Sequence, residues 1–272
     1  MTFLMKKMRR NLISKKQVIK YLLYAIGETV VVTIGVYLAF QLNMNARDAA
    51  NERAEISYLQ GIVVDIDQDI TELTNLLKFD TVQLSAFTTI QQAFTDNKLK
   101  NDPRLAQSIG TANIFTNFNG NSLFFEDMKS SGKITLISSD ALRLSVLKYH
   151  NHSQAETKHQ VEQLRRRHAT LASDTFETNV DLNSILENGF FMGEWQEEID
   201  PLDLSFFDKD TKSKEVQTFA NRLSLMKGLV QFRKLGNEAL LGEAKILKSD
   251  AEKYLASKGV AIQNNIPGAI AP

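Results

Sequence analysis

The segment formed by residues 21–42 constrains the fold of this chain more than any other part of the sequence. It is almost entirely apolar and contains a single acidic or basic side chain, Glu28. As an α-helix the segment rises about 33 Å, which matches the roughly 30 Å thickness of the hydrocarbon core of a bilayer. The sequence therefore predicts one transmembrane helix over residues 21–42, with the lipid bilayer as its first partner.

Basic residues cluster immediately before this segment. Residues 1–20 contain seven lysine and arginine side chains and no acidic one, whereas residues 43–55 carry two arginines among three acidic residues. Because a basic flank is retained on the cytoplasmic side of a membrane, we expect a cytoplasmic arm (1–20) in the bacterial inner membrane and a periplasmic domain (43–258). A juxtamembrane arm accounts for the cluster without a nucleic-acid partner, and none is expected.

A cleaved signal peptide is the competing interpretation of the same segment. Its apolar run is longer than the short apolar core of a signal peptide, and no good small-x-small cleavage site follows it. These features favour an uncleaved anchor. The chain has no cysteine, which excludes a disulfide framework and thiol chemistry and is compatible with a bacterial envelope.

Two stretches resemble a known family. Residues 20–28 read K-Y-L-L-Y-A-I-G-E, and they are followed by I-G at 34–35 and by L-A-F-Q-L-N at 38–43. This pattern is similar to the K-Y-L-x-Y-A-I-G-E signature of an uncharacterised family of single-span membrane proteins common in Bacteroidota. Residues 128–134, M-K-S-S-G-K-I, resemble that family's L-K-S-S-G stretch. The chain departs from the family after Asn43, where a tryptophan and acidic residues are usual. The resemblance implies topology and no activity.

Apolar residues spaced alternately by three and four positions predict long helices beyond the membrane. One such pattern covers residues 46–95 and continues the transmembrane helix, a second covers 140–187, and a third begins at Val216 and extends to Tyr254. Each apolar stripe needs a partner, so we predict an all-α fold in which the transmembrane helix continues into an elongated antiparallel helical bundle with coiled-coil packing. The expected path runs out along the first helix, back along the second and out again along the last.

The connections complete this predicted architecture. Residues 96–138 are expected to form a compact tip, residues 188–212 a membrane-proximal connector, and residues 259–272 a flexible tail. The connector would bring Phe190, Phe191 and Trp195 to the membrane surface, where aromatic rings are favoured, or to the base of the bundle.

All four histidines lie in the polar middle of the second long helix. His152, Glu156 and His159 share one helical face, and the Glu156-x-x-His159 spacing occurs in di-iron bundles. A di-iron site needs a second such motif and two more carboxylates, and the sequence shows neither. We therefore expect a solvated or intersubunit polar face and no metal or cofactor, with metal binding and a histidine pH sensor as the alternatives.

No Ser/His/Asp order, nucleotide loop or zinc motif is present, so the sequence predicts no enzyme. The favoured function is a membrane-anchored structural or interaction protein, either a homo-oligomer or a subunit of a larger membrane complex. The alternatives are an extracytoplasmic sensor or accessory subunit that acts through a partner, and a proton-coupled stator-like partner that uses Glu28. In every case we expect Glu28 to face another membrane helix, with Gly27, Gly35 and Ala39 allowing close approach. The pattern identifies no small-molecule ligand.

Overall fold

The computed structural model describes residues 15–96, 103–177, 179–180 and 204–260, and every regular element among them is helical. The α-helices are α1 (Lys15–Ala93), α2 (Pro103–Asn113), α3 (Leu123–Ser130), α4 (Asp140–His159), α5 (Arg165–Ala172) and α6 (Lys214–Ser257). Two π-helical turns, Gln160–Leu164 and Ser173–Glu177, follow α4 and α5, and 3-10 turns cover Lys133–Leu136 and Ser205–Asp208. The predicted all-α fold is confirmed.

The chain divides into two compact units, Met1–Glu55 and Ile56–Pro272. In the first unit, the described side chains of α1 from Val18 to Phe40 are all exposed. In the part of the chain that the structure describes, α1 is the one helix that is long and apolar enough to cross a membrane, judged by length and composition. The polar hydroxyl of Thr33 in this segment donates to the carbonyl oxygen of Thr29 at 2.7 Å.

In the second unit, α6 runs antiparallel to α1. The Nζ atom of Lys248 lies 2.5 Å from the carboxylate of Asp67 towards one end, and Nε2 of Gln91 donates to Oγ of Ser224 towards the other. This arrangement corrects the predicted path, in which the first and last helices were to run in the same direction.

Helices α4 and α5 run antiparallel to α6 and therefore parallel to α1. Nδ1 of His152 lies 2.9 Å from Oε2 of Glu243, whereas Asp174 pairs with Arg222 nearer the start of α6. The prediction that the second long helix returns along the first was wrong. Apolar periodicity marks which face of a helix is buried, and that face is the same for either direction.

The segment containing α2 and α3 is the one that returns along α1. Gln83 of α1 donates to carbonyl oxygens at Thr111 and Ile114, while Tyr58, which lies closer to the start of α1, donates to Asp127 of α3 at 2.9 Å. Residues 103–136 thus form an extended layer against α1, and not the compact tip that was predicted for residues 96–138.

The described end of the connector packs at the C-terminal end of α1. Phe206 and Phe207 lie 5.9 and 4.8 Å from the ring of Phe94, and both contact Phe219. The chain therefore enters α6 from the Phe94 end, and not from the Ile56 end that the prediction of a membrane-proximal connector required. Phe190, Phe191 and Trp195, predicted at the membrane surface or at the base of the bundle, lie outside the described residues.

Local sequence signals fix several helix ends. The hydroxyls of Ser139 and Ser213 accept the backbone N–H groups of Leu142 and Val216, and thereby cap α4 and α6. Gly132 adopts a φ of 70° between α3 and the following 3-10 turn, a left-handed conformation that favours glycine.

Candidate functional site

A layer of buried polar side chains interrupts the apolar core of the second unit. On α1, the buried apolar residues of one cluster end at Leu73 and those of the next begin at Phe87, and on α6 the same gap separates Val230 from Leu240. Five fully buried polar residues fill the gap, and we call them the polar layer: Asp80, Gln83, Gln160, Arg233 and Asn237.

Arg233 is the centre of the polar layer. Its Nε donates to Oδ1 of Asp80 at 3.0 Å, and its Nη2 donates to the same oxygen and, at 2.8 Å, to Oε1 of Gln83. Nη1 donates to the carbonyl oxygen of Thr116 at 2.9 Å, and Cζ lies 4.9 Å from the ring centre of Phe115. Burial raises the pKa of Asp80, and the guanidinium opposes that shift. Because both side chains are fully buried, the charge of Asp80 is compensated by Arg233 and not by solvent.

Gln160 links the other elements to this centre. Its Nε2 donates to Oδ1 of Asn237 at 2.7 Å and to Oε1 of Glu156 at 2.9 Å, while its Oε1 accepts the backbone N–H of Phe118 at 2.9 Å. Gln160 is the first residue of a π-helical turn, a feature that frequently accompanies functional positions. Oδ2 of Asp80 and Nδ2 of Asn237 are buried and make no hydrogen bond of normal length among the described residues, although the Asn237 side chain lies near enough to lower the pKa of Asp80.

A row of three carboxylates on α1 holds the chain that precedes and begins α3. Asp65 accepts the N–H of Phe124 at 2.9 Å, Asp69 accepts that of Asn121 at 2.7 Å, and Glu72 accepts that of Asn119 at 3.0 Å. Spacings of four and three residues place the carboxylates on one face of α1. We call these three residues the carboxylate row. The side chain of Ser122 makes no capping hydrogen bond, so the N-terminus of α3 is capped by the Asp65 carboxylate instead.

Burial raises the pKa values of all three carboxyl groups in the carboxylate row. It raises the pKa of Asp69 to about 6, although the N–H of Asn121 and the hydroxyl of Tyr149 act in the opposite direction. Burial also raises the pKa values of Asp65 and Glu72. The Tyr149 hydroxyl donates to Oδ2 of Asp69 at 2.6 Å, which ties α4 to the row. Each carboxylate is committed to a structural hydrogen bond, and Asp69 can exchange a proton near neutral pH.

Residues 28–173 match the model of a family of unknown function, DUF6090. This range is more than half of the chain. The chain belongs to the DUF6090 family. The predicted membership of an uncharacterised family is thereby confirmed. No curated protein and no solved structure matches the chain. The DUF6090 match includes the carboxylate row and Asp80 but ends before Arg233 and Asn237, which α6 contributes from outside it.

The residues predicted to contact another membrane helix lie in the exposed part of α1, and the DUF6090 match begins at one of them, Glu28. Glu28, Gly35 and Ala39 are separated by seven and four residues and so fall on one face of the helix. Gly27 lies about 100° away around the axis. An added Cβ at Gly27 or Gly35 would have no neighbour within 4 Å. A second helix could approach this face closely.

The three weak metal candidates make separate contacts. His152 bonds Glu243 of α6, Glu156 bonds Gln160, and the ring of His159 lies edge-on to Phe232 at 5.7 Å. No group of three histidine, aspartate or glutamate side chains in the described part of the chain is arranged to hold a metal ion. His152, Glu156 and His159 therefore share a helical face but do not come together as one metal site.

The other two histidines are buried in the DUF6090 region. His150 stacks on the ring of Phe125 at 4.1 Å, and burial lowers its pKa to about 4. Burial likewise lowers the pKa of His168 to about 4, and its Nε2 donates to the carbonyl oxygen of Ala112 at 3.1 Å. Both rings act as neutral packing groups at neutral pH.

The polar layer was not predicted from the sequence, although the sequence contains a signal for it. Asp80 interrupts the apolar pattern of α1, and Arg233 and Asn237 interrupt that of α6. A charge on the buried stripe of each of two helices, with opposite signs, indicates an ion pair between them.

Proposed function

We propose that this DUF6090 protein is a membrane-anchored structural or interaction protein of the bacterial envelope, without catalytic activity. The observation that carries the proposal is the exposed apolar part of α1, from Val18 to Phe40. Exposed apolar surface costs about 25 cal/mol per Å² in water, so a helical segment of this length needs a bilayer or other helices around it.

The proposed location is the inner membrane, with the basic arm in the cytoplasm and the helical unit in the periplasm. Protease added to intact spheroplasts should digest the chain beyond Asn45 and spare the arm, which an N-terminal epitope tag would report. Digestion only after the cells are lysed would reject this topology. The protein should also remain with the membranes after a carbonate wash, since an uncleaved anchor is not a peripheral attachment.

We further propose that the chain acts as a homo-oligomer or as a subunit of a larger membrane complex, with Glu28 at the contact between membrane helices. A carboxyl group within a bilayer is favoured only beside a hydrogen-bonding partner, and Gly35 and Ala39 leave room for one on the same face. The supporting observation is that these three residues share an exposed face of α1.

Self-association of full-length variants in detergent micelles tests this contact. Glu28→Leu should weaken association by about fivefold to thirtyfold, the equivalent of about 1–2 kcal/mol for one interhelical hydrogen bond, whereas Glu28→Gln should retain it. Thr33→Val is the matched control, because the Thr33 hydroxyl already bonds within its own helix. Equal association of the Leu and Gln variants would reject a role for Glu28 in assembly.

The polar layer supports a scaffold role. Arg233 and Asp80 are buried on different helices, so a shift of α6 along α1 would separate the two charges inside the core. A helical unit with one fixed register presents a constant surface to a partner, which suits an interaction protein.

A further inference from the structure

A cleft of about 340 Å³ lies between the chain that precedes α3 and the last turns of α4. One of its walls contains Gly120 and Ser122. The other wall is a face of α4 and of the π-helical turn that follows it, from Ser153 to Glu162. Ligand pockets start at a volume of about 300 Å³, so the cleft can hold a small molecule.

The carboxylate row holds the first wall of the cleft in place. Asp69 and Glu72 accept the backbone N–H groups of the residues on either side of Gly120, at 2.7 and 3.0 Å. An added Cβ at Gly120 would collide with Oγ of Ser153, so the missing side chain lets this backbone approach α4 closely. The position of the wall is therefore set by the fold.

The π-helical turn Gln160–Leu164 aligns the second wall. The residues of this wall follow one another at intervals of four in two rows, Ser153, Thr157 and Val161 in one and Gln154, Lys158 and Glu162 in the other. In an α-helix, four residues overshoot a full turn by about 40°. The wider π-turn removes part of this drift, which keeps Val161 and Glu162 on the side of the cleft.

The hydroxyl of Ser153 is a buried polar group that the fold does not use. Ser153 is 4% exposed, and its hydroxyl makes no hydrogen bond within the described part of the chain. The buried hydroxyl of Thr157, the next residue in the same row, also lacks a partner there. An unpaired buried hydroxyl costs free energy. Because Ser153 lines the cleft, a molecule bound in the cleft can supply its missing hydrogen bond.

Two charges of opposite sign lie at the open side of the cleft. Lys158 and Glu162 are exposed, and neither forms an ion pair with another described residue. A lysine four residues before a glutamate is the less favourable order for pairing along a helix, which agrees with their separation. The two residues are about 6 Å apart along the helix axis, so both charged groups can reach one small ligand.

These groups indicate the chemical class of the ligand. An α-amino acid carries an ammonium and a carboxylate group on the same carbon atom, and the two groups are complementary to Glu162 and Lys158. A neutral saccharide would leave both charges without a partner, and a dicarboxylate would set a negative charge against Glu162. A charged side chain beside the buried hydroxyl of Ser153 would be desolvated without a counter-charge, so an uncharged polar side chain fits best.

We propose that the cleft binds a free α-amino acid with a small, uncharged polar side chain. Lys158 binds the carboxylate group, Glu162 binds the ammonium group, and the hydroxyl of Ser153 forms a hydrogen bond with the side chain. The cleft lies in the helical unit, whereas the anchor and the Glu28 contact lie in the apolar segment. Lack of amino-acid binding would therefore leave the proposed membrane anchorage intact.

Calorimetric titration of the full-length chain in detergent with each of the standard L-amino acids tests the ligand class. We expect the tightest binding from an amino acid with an uncharged polar side chain. Its N-acetyl and its carboxamide derivative should each bind about tenfold more weakly or worse, since each lacks one of the two charges. Absence of binding by every amino acid, or equal binding by either derivative, would overturn the proposal.

Substitutions of the two charged residues test their contacts. Lys158→Ala and Glu162→Ala should each weaken binding of the amino acid by about tenfold or more. Lys148→Ala is the matched control and should bind normally, because Lys148 is an exposed lysine of the same helix outside the cleft. Glu162→Ala should not weaken binding of the N-acetyl derivative further, since that derivative has no ammonium group. Unchanged affinity in either cleft variant, or an equal loss in Lys148→Ala, would overturn the site.

Ser153→Ala separates ligand binding from a structural role. The hydroxyl makes no hydrogen bond within the described residues, so its removal should leave the Tm of the ligand-free chain unchanged. Affinity for the amino acid should fall by about threefold to tenfold, as expected for the loss of one neutral hydrogen bond. Unchanged affinity, whatever the Tm, would overturn the contact between Ser153 and the ligand.

Discussion

Replacing Arg233 by methionine tests the polar layer most directly. Methionine retains an unbranched apolar stem but has no donor, so Asp80, Gln83 and the Thr116 carbonyl each lose a hydrogen bond inside the core. Removing one partner of a buried ion pair costs about 3–5 kcal/mol. At about 2–4 °C per kcal/mol for a unit of this size, the Tm should fall by roughly 6–20 °C.

The loss should depend on pH in a defined direction. Without the guanidinium, burial holds the pKa of Asp80 in the folded variant above its unfolded value near 3.9. A carboxyl group with a raised folded pKa stabilises the fold below its unfolded pKa, and that contribution disappears as the pH rises through the folded pKa. The deficit of Arg233→Met relative to the unmodified chain should therefore be larger at about pH 8 than at about pH 5.

Thermal melts of the full-length chain in detergent at each pH, followed by far-UV circular dichroism, measure these differences. Adding Asp80→Leu should recover at least half of the loss, because an apolar pair of similar volume replaces a buried ion pair at little cost. Lys234→Met is the control, since Lys234 is the partly exposed neighbour of Arg233 and its pair with Glu238 is worth at most about 1 kcal/mol. A loss for Arg233→Met no greater than that for Lys234→Met, or a deeper loss on adding Asp80→Leu, would contradict a stabilising role for the buried ion pair.

Three further substitutions follow from the buried groups. Asp69 has a folded pKa of about 6, so the unmodified chain should lose stability relative to Asp69→Asn as the pH rises from about 4 to 6. In thermal melts across that range, the Tm of the unmodified chain should fall relative to the Tm of the variant. His150 has a folded pKa of about 4, below its unfolded value near 6.5, so its contribution to stability is present above pH 6.5 and is lost as the pH falls through 4. His150→Phe should reduce this loss of stability at acid pH in the same melts. An unchanged dependence of Tm on pH would contradict the assignment. Gly61→Ala would bring a Cβ to 2.2 Å from the ring of Phe124. Although alanine favours a helix more than glycine does, the substitution should destabilise the chain by about 1–3 kcal/mol in urea unfolding. A gain in stability would show that the ring moves freely.

Features that depend on short-range sequence were predictable. The apolar run before Asn43 lies where the sequence placed it, and the caps at Ser139 and Ser213 and the left-handed turn at Gly132 are equally local features. Each depends on residues within a few positions of one another, through hydrophobic length, a hydroxyl three residues before an N–H group, or a φ that glycine tolerates. The helical class and the extent of α6 follow from the same local periodicity.

The course of the chain between helices was decided only by tertiary structure. A stripe of apolar residues at three- and four-residue spacing specifies a buried face but neither the direction nor the identity of the helix that covers it. The Asp80 and Arg233 side chains are 153 positions apart in sequence, and the carboxylate row meets backbone N–H groups that have no sequence signature at all. Backbone donors are common to every residue except proline, so only the folded chain determines which of them a buried carboxylate will meet.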